Sequence, residues 1–443
     1  MRIEYSDKII CTVRIKIFDK PGFLGKVATI VGDYGGMFGE IKTVHIGKDY
    51  KIRDLDIYTD DEKKFAEIVS AIDALDGIEI LEIKDVVMEV HEGGKIEVST
   101  PIEIETMDDL SIVYTPGVAS VCRKIFEDRS LADRYTTIKK NVAIVTNGTA
   151  ILGLGDIGPV AGMPVMEGKS LLLRILAGLN GIPILIDSKD PKVIVDTIKN
   201  ISPTFGAIKL EDIKAPECFE IEKELDEILD IPVMHDDQHG TAVVVLAALI
   251  NIGKYTFKNI RKSSVGILGL GAAGSGIQKL LMAYGIDKIY GFDINEEMVK
   301  RFVQRGGFET ESVESLVKSV DIIIATTGCP GLIKKEWVKN GQIILALTNP
   351  DPEIKPEDAI AAGALFAADG KSVNNALAFP GIFKGALAAN AYTINDAMKI
   401  AASETIAKFA MEGDLVPNIL NKQVHESVAL AVENAAYKSK AVK

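Results

Sequence analysis

This sequence has few cysteines, no long apolar run and no excess of basic residues. Its four cysteines are scattered without paired spacing, which argues against a structural zinc site and favours a reducing cytoplasm. The longest apolar run, Ala242 to Ile252, is too short for the roughly 20 residues that cross a bilayer. The net charge of -13 leaves no broad basic face for nucleic acid and would be repelled by anionic membranes.

The start of the chain carries no visible targeting signal either, because Met1 to Asp7 is polar. A chain of 443 residues is long enough for two or three domains. A content of 47% hydrophobic and 26% charged residues is typical of a soluble globular protein. We therefore expect a cytoplasmic protein whose partners are small molecules, anions included, rather than nucleic acid or a membrane.

The first 90 or so residues alternate strand and helix patterns in the order βαββαβ, which predicts a ferredoxin-like unit. Within it, the stretch DKPGFLGKVATIV resembles the ACT domain, in which a strand-to-helix loop often binds an amino acid. The resemblance implies either a regulatory module or a dimerisation domain without ligand. Residues 91 to 104 are predicted to form a linker and then an exposed strand, so that a second domain begins near residue 96.

Two motifs early in the second domain have ambiguous roles. Tyr114 lies in YTPGVA, at the edge of a turn, and is either a half-buried aromatic or a catalytic group. The GxGxxG pattern at 153–158 lacks an acid about 20 residues later, and Pro159, Gly162 and Pro164 are expected to block a helix. We interpret it as a tight turn that lines a substrate site and not as a nucleotide loop.

Lys169 is the first candidate for acid–base chemistry. It lies in EGKS just before the apolar run LLLRILAGL, which predicts a lysine at a helix N-terminus. There the helix dipole disfavours the positive charge, as a general base requires, although a lysine at a helix start is more often solvated.

Two pairs of adjacent carboxylates each end an apolar run: Glu211-Asp212 and Asp236-Asp237. The runs alternate with helical stretches, as in a parallel α/β sheet, and a helix is predicted from Ala242 to about Gly253. The carboxyl ends of parallel strands are where ligands collect. The two pairs therefore predict an oxygen-ligated Mg²⁺ or Mn²⁺ site.

A second glycine fingerprint meets every requirement of a dinucleotide loop, with a strand before it and a helix after it. Its residues are Gly269, Gly271, Ala272, Ala273 and Gly274. Asp293 follows about 20 residues past the turn, where it would accept from a ribose 2′-hydroxyl and repel a 2′-phosphate, so NAD is preferred over NADP. Two later strand ends, which carry Thr327 and Asn349, are expected to face the cofactor. The pair Asn374-Asn375 is compatible with a simple solvated turn.

Taken in order, eight motifs resemble those of the malic enzymes in their shorter prokaryotic form. They are YTPGVA, ILGLGDIG, MEGKS, KLEDI, HDDQHGTA, GLGAAG, LTNPDPE and NNALAFPGIFKGAL, and they extend over residues 105–430. The resemblance implies oxidative decarboxylation of (S)-malate to pyruvate and CO2 with NAD⁺ and Mg²⁺ or Mn²⁺. It also implies an α/β fold with a domain at 96–253 for substrate and metal, a Rossmann domain at 254–390, and C-terminal helices at 391–443 that pack back on the former. The ACT-like domain would occupy 1–92.

The resemblance further implies a role for each motif residue. The metal ligands would be Glu211, Asp212 and Asp237. Asp236 would orient or charge-balance Lys169, which would take the proton of the C2 hydroxyl. Tyr114 would protonate C3 of the enolate, and Asn349 and Asn375 would hold the substrate.

Two departures from the family pattern affect these expectations. Ala150 stands where animal-type members carry an arginine, so Arg174 or a backbone nest is left to bind the substrate carboxylate. The ACT-like unit is absent from most members and implies allosteric control by an amino acid or metabolite. We expect a homodimer or higher homo-oligomer. The alternatives are a 2-hydroxy-acid dehydrogenase that needs no metal and does not decarboxylate, and a non-catalytic amino-acid sensor.

Overall fold

The computed structural model of this chain describes residues 9–151 and 153–443. The chain divides into two compact units, residues 1–97 and 98–443. This boundary lies close to the predicted start of the second domain at residue 96, whereas the finer division of the second unit remains a prediction. Among the described helices, none has both the length and the apolarity needed to cross a membrane.

The first unit follows the predicted βαββαβ order and adds a short helix. Its elements are β1 (Ile9–Phe18), α1 (Phe23–Asp33), β2 (Met37–Ile46), β3 (Tyr50–Thr59), α2 (Glu62–Asp73), β4 (Ile78–Asp85) and α3 (Val86–His91). The four strands form an antiparallel sheet in the order β2-β3-β1-β4. Alternate residues of β1, Val13, Ile15 and Ile17, are buried in the unit's core, as period-two patterning requires. The exposed strand predicted near residue 96 is wrong, because residues 92–106 contain no strand.

The second unit begins with short helices and continues as a parallel α/β layer. Its elements are α4 (Met107–Val113), α5 (Val118–Glu127), α6 (Ala132–Tyr135), β5 (Asn141–Thr146), α7 (Met163–Leu172), β6 (Asn180–Leu185), α8 (Pro191–Ile201), β7 (Ala207–Leu210), α9 (Glu217–Ile228), β8 (Val233–His235) and α10 (Asp236–Thr256). The sheet order is β6-β5-β7-β8, with all neighbours parallel. The strand ends that carry the two acidic pairs therefore lie at one edge.

A six-stranded parallel sheet and seven α-helices complete the unit. They comprise β9 (Val265–Leu268), α11 (Ala272–Ala283), β10 (Ile289–Phe292), α12 (Glu296–Gln304), β11 (Phe308–Glu309), α13 (Val313–Ser319), β12 (Ile322–Ala325), β13 (Ile343–Ala346), α14 (Pro356–Ala361), β14 (Phe366–Asp369), α15 (Phe379–Ala388), α16 (Asp396–Lys408) and α17 (Lys422–Lys438). The order β11-β10-β9-β12-β13-β14 is that of a Rossmann sheet, which confirms the predicted fold class. Its connections reverse between β9 and β12, and a dinucleotide binds at such a crevice.

Helix α10 joins the two parallel sheets. Most of its residues are buried, and it packs against α11 and α16. At its crossing with α11, a side chain on Gly276 would collide with the backbone of Gln238, so a glycine is required there. The helix begins at Asp236 and not at Ala242 as predicted, so both carboxylates of the second pair lie in its first turn. Carboxylates are favourable there because the N-terminal end of a helix carries partial positive charge.

The position of Lys169 also differs from the prediction. Pro164 was expected to block a helix, yet α7 begins at Met163 with that proline in its first turn. Proline is tolerated there because its missing N–H would have no partner within the helix anyway. Lys169 consequently lies in the last turn of α7 and not at a helix N-terminus.

Candidate active site

The two acidic pairs converge, as their positions after β7 and β8 predicted. One carboxylate oxygen from each of Glu211, Asp212 and Asp237 lies within 4.8 Å of the other two. Two oxygens that share one Mg²⁺ ion are at most about 4 Å apart, since each bond is about 2.0 to 2.1 Å long, so a small side-chain movement would bring these three atoms onto one ion. Glu211 and Asp212 are almost fully buried, whereas the Asp237 side chain is 30% exposed and opens the cluster to ligands.

Several features of this cluster fit a cation. The Oδ2 atom of Asp212 is buried without a hydrogen-bond partner, and such an atom is costly unless it binds something. Burial and the neighbouring Asp237 raise the pKa of Asp212 to about 7, and a bound cation would oppose both effects. The backbone of Asp212 has a φ of 51°, and its N–H donates to Asp237 Oδ2 at 2.9 Å. Strained backbone of this kind is typical of functional sites.

Lys169 lies beside the carboxylates, at the centre of a polar cluster. Its Nζ is 2.9 Å from Asp236 Oδ2 and 2.9 Å from Glu211 Oε1, and it donates to Asn375 Oδ1 at 3.2 Å. It also lies 5.1 Å from the ring centroid of Phe379, a cation–π distance. Asn375 is thus part of this cluster and not a solvated turn.

Lys209 is a second lysine of this cluster, which the sequence analysis did not single out. Its ammonium is fully buried, contacts Glu211, and lies 3.0 Å from Asp236 Oδ2 and 4.6 Å from the Phe379 ring centroid. Burial lowers the pKa of Lys209 to about 8, although Asp236 opposes that effect. For Asp236 itself, burial would raise the pKa, but the two lysines overcome it and the pKa is lowered. Asp236 is therefore an anion held between two cations.

A partly buried carboxylate from α9, that of Glu222, holds the turn that precedes α10. Glu222 Oε1 accepts from the His235 backbone N–H at 2.6 Å, and Oε2 accepts from Gln238 Nε2 at 3.1 Å. His239 Nε2 lies 3.0 Å from the same Oε2, and Lys399 Nζ lies 3.1 Å from His239 Nδ1. Burial would raise the pKa of Glu222, but His239 and Lys399 lower it to about 2. These contacts fix the segment that presents Asp236 and Asp237.

The glycine-rich turn lies between β9 and α11, at the point where the Rossmann sheet reverses its order. Gly269 has a φ of 83°, and any side chain on it would collide with the backbone of Thr326. Asp293 follows β10, where its carboxylate accepts from the backbone N–H groups of Leu270 at 2.6 Å and Asn295 at 2.8 Å. Asp293 thus also holds the turn, a role that the sequence analysis did not anticipate.

The loops that carry Thr327 and Asn349 follow β12 and β13 at the same edge of the sheet. The predicted tight turn near Gly153 comes close to them, since a side chain on Gly153 would lie 3.8 Å from the carbonyl oxygen of Asn349. The turn predicted to line the substrate site and a loop predicted to face the cofactor therefore lie close together.

Two candidates lie apart from these contacts. Tyr114 follows α4, its side chain is 66% exposed, and its hydroxyl has no hydrogen-bond partner within the described residues. Arg174 is exposed and donates to Asn180 Oδ1 at 3.3 Å, at the first residue of β6. Because the carboxylates lie at the opposite, carboxyl-terminal edge, Arg174 is not placed to bind a substrate beside Lys169. Ala150 contributes its backbone N–H to the Asp212 carbonyl at 3.0 Å.

A Rossmann sheet whose cofactor crevice opens beside a lysine–carboxylate cluster is typical of oxidoreductases that use a dinucleotide. Comparison with known proteins identifies the family within this class. Sequence profiles match residues 93–194 to "Malic enzyme, N-terminal domain", 366–437 to "Malic enzyme, NAD binding domain", and 264–355 to "NAD binding domain of 6-phosphogluconate dehydrogenase". The chain belongs to the malic enzyme family, as the relatives with high identity over nearly its whole length show.

Three relatives illustrate this membership. The NAD-dependent malic enzyme 1 of Bacillus subtilis is 52% identical over 97% of this chain and 98% of its own length. The NAD-dependent malic enzyme of Geobacillus stearothermophilus is 40% identical over 97% of this chain and 94% of its own. Among solved structures, the malic enzyme of Pyrococcus horikoshii Ot3 is 40% identical and superposes on this chain with a TM-score of 0.75. The superposition covers 79% of this chain and 88% of the chain in that structure.

Proposed function

We propose that this chain converts (S)-malate and NAD⁺ into pyruvate, CO2 and NADH. The observation that carries the proposal is the contact of Lys169 with Asp236, Glu211 and Asn375, next to a carboxylate triad that fits a divalent cation. The names of the Bacillus subtilis and Geobacillus stearothermophilus relatives support NAD as the oxidant. The four cysteines, all free, are compatible with a cytoplasmic enzyme.

Within this proposal, Lys169, once neutral, takes the proton of the C2 hydroxyl while hydride passes from C2 to the nicotinamide. Asp236 and Asn375 orient its Nζ toward the substrate. A cation such as Mg²⁺ or Mn²⁺, held by Glu211, Asp212 and Asp237, would polarise the C2 oxygen and stabilise its negative charge as CO2 leaves. Asn349 and Asn375 hold the substrate, and with Arg174 remote, backbone N–H groups near Ala150 remain for its carboxylate.

Protonation of C3 is assigned to Tyr114, and its exposure leads us to propose that it acts in the site of a second copy. Neither α4 nor α5 buries a single residue. Large apolar side chains on them face solvent, including Met107 at 74%, Ile112 at 73% and Phe126 at 92% exposure. Apolar surface of this kind marks an interaction site. A symmetric dimer through these helices would bring Tyr114 to its partner.

The first unit is proposed to regulate the enzyme as an ACT-like domain. Its support is the resemblance of the loop after β1, with Pro21 and Gly22 at the start of α1, together with the βαββαβ order. An amino acid or another small metabolite is the expected effector. A thermal-shift screen of such compounds on the full chain would identify it.

One assay tests the reaction itself. The full chain with malate, NAD⁺ and Mn²⁺ should form NADH and pyruvate in equal amounts, because each turnover releases one of each. Absorbance at the NADH band and a coupled pyruvate assay measure the two products. NADH without pyruvate would instead indicate a 2-hydroxy-acid dehydrogenase, which the carboxylate triad disfavours because hydride transfer alone needs no such cation. Formation of neither product would favour the sensor.

A double substitution tests the cofactor preference. Asp293→Ser with Ile294→Arg should raise the NADP⁺-to-NAD⁺ ratio of kcat/KM by roughly 10- to 100-fold, since it removes a repelling carboxylate and adds a cation for the 2′-phosphate. Ile294 is 94% exposed, so the arginine needs no space inside the fold. Ile294→Arg alone is the control, because it keeps the carboxylate that also binds the Leu270 N–H. An unchanged ratio in the double variant would mean that Asp293 does not meet the ribose.

A further inference from the structure

Glu353, in the motif LTNPDPE, is a buried carboxylate that the proposed chemistry does not use. It is fully buried and accepts four hydrogen bonds. Two come from Thr327, whose backbone N–H and hydroxyl both donate to Oε1, at 2.8 and 2.9 Å. The other two come from Thr348, whose hydroxyl donates to Oε1 at 2.6 Å and whose N–H donates to Oε2 at 3.3 Å. No lysine or arginine in the described ranges pairs with it.

These donors belong to loops and not to the sheet. Thr327 lies just after β12, and Thr348 lies just after β13. The strands already satisfy their own ladder bonds, so the sheet does not need Glu353 to form. The Thr348 hydroxyl also accepts from the Gly328 backbone N–H at 3.0 Å. The carboxylate therefore ties two separate loops into one rigid edge.

This edge adjoins the glycine-rich turn. The Thr326 N–H donates to the Leu268 carbonyl at 2.8 Å, and its hydroxyl donates to the Gly269 carbonyl at 3.1 Å. Thr327 is the next residue, and Asn349 directly follows Thr348. Glu353 thus binds Thr327, the neighbour of the residue that contacts the turn expected to hold the pyrophosphate. It also binds Thr348, the neighbour of the asparagine proposed to hold the substrate.

We propose that Glu353 is a positioning residue for the dinucleotide, which holds the loops after β12 and β13 in the arrangement that receives its nicotinamide half. The inference rests on the proposed function and assigns a task to a residue that touches neither cofactor nor substrate. A carboxylate suits this task because both of its oxygens accept, whereas a glutamine that keeps its oxygen at the Oε1 position sets an N–H2 group against the Thr348 backbone N–H. That N–H, left facing another donor, would move the loop after β13 away from the carboxylate's place.

The test is NADH binding to the full chain, followed by the fluorescence of the bound dinucleotide, in wild type and Glu353→Gln. The variant should bind NADH roughly 10- to 100-fold more weakly. The KM for NAD⁺ should rise by a similar factor, with a smaller change in the KM for malate. Asp358→Asn is the matched control, because Asp358 is an acid of helix α14 whose side chain makes an ion pair with the exposed Lys335, at 2.9 Å. Its NADH affinity should equal that of wild type.

A second variant covers the case in which Glu353→Gln does not fold. Thr348→Val keeps the carboxylate at a residue that is not assigned to the cofactor, but removes the hydroxyl that donates to Oε1 at 2.6 Å and accepts from the Gly328 N–H at 3.0 Å. It should weaken NADH binding about 3- to 10-fold. Unchanged NADH affinity in the folded variant, with or without a lower melting temperature, would overturn the inference, because a merely structural role moves only the latter. If wild type binds NADH but does not oxidise malate, the proposed function fails while the affinity comparison still decides the role of Glu353.

Discussion

Replacing Asp237 with asparagine should lower kcat/KM for malate by about 10³-fold, since loss of Lewis-acid stabilisation costs several kcal/mol and each 1.4 kcal/mol is about tenfold. Asparagine preserves the shape of the side chain but removes its charge. In the same variant, the dissociation constant for Mn²⁺, measured by titration calorimetry without substrate, should rise at least about tenfold.

The structural reason lies in how the triad is built. Asp237 is its most exposed member, and its Oδ2 also accepts from the Asp212 N–H at 2.9 Å. An asparagine has only one accepting oxygen, which can face either that donor or the cation, so the variant loses either the supporting bond or the ligand atom. Glu211 and Asp212 are buried, and their replacement would confuse loss of metal with loss of stability.

The matched control is Asp196→Asn, which removes one negative charge from an exposed position on α8 outside the triad. It should leave both the Mn²⁺ affinity and the turnover of malate unchanged. Equal Mn²⁺ binding by Asp237→Asn and wild type would contradict the assignment of this carboxylate as a ligand.

The sequence was informative where chemistry follows directly from strand ends. The pairs Glu211-Asp212 and Asp236-Asp237 were expected to converge because they end neighbouring parallel strands, and the structure brings them together. The Rossmann order was predictable for the same reason, since one glycine turn and one acid determine where the sheet reverses. Periodicity and turn residues are local properties of the sequence, so they can be identified without knowledge of the tertiary structure.

Long-range partners could not be predicted in this way. Glu222 accepts a hydrogen bond from the backbone N–H of His235, 13 residues later in the chain. Glu353 accepts one from the backbone N–H of Thr327, 26 residues earlier. Lys209 lies in β7, and nothing in its local sequence indicates that its side chain is buried. Only the three-dimensional structure shows that Asp236 and Glu211 compensate its charge. The starts of α7 and α10 were predicted too late in the chain. Pro164 and the acidic residues at the start of α10 are typical of loops, but they are also favourable in the first turn of a helix.

Mixing two inactive variants should restore activity if Tyr114 serves the partner's site. Tyr114→Phe should reduce malate turnover about 10²- to 10⁴-fold yet retain reduction of oxaloacetate, which needs no C3 protonation. Lys169→Met should abolish both activities, because it removes the base and keeps only the apolar stem against Phe379. After equal amounts exchange subunits, half of the dimers contain both chains.

In such a mixed dimer, one site combines the intact Lys169 of one chain with the intact Tyr114 of the other, and the second site lacks both. The mixture should therefore recover about a quarter of wild-type turnover. Light scattering establishes the oligomer, and different affinity tags on the two variants allow the mixed species to be isolated. Each variant exchanged with itself is the control and should stay inactive. Isolated mixed dimers without activity would show that Tyr114 and Lys169 must come from the same chain, because a tyrosine used within its own subunit leaves every site with one defect.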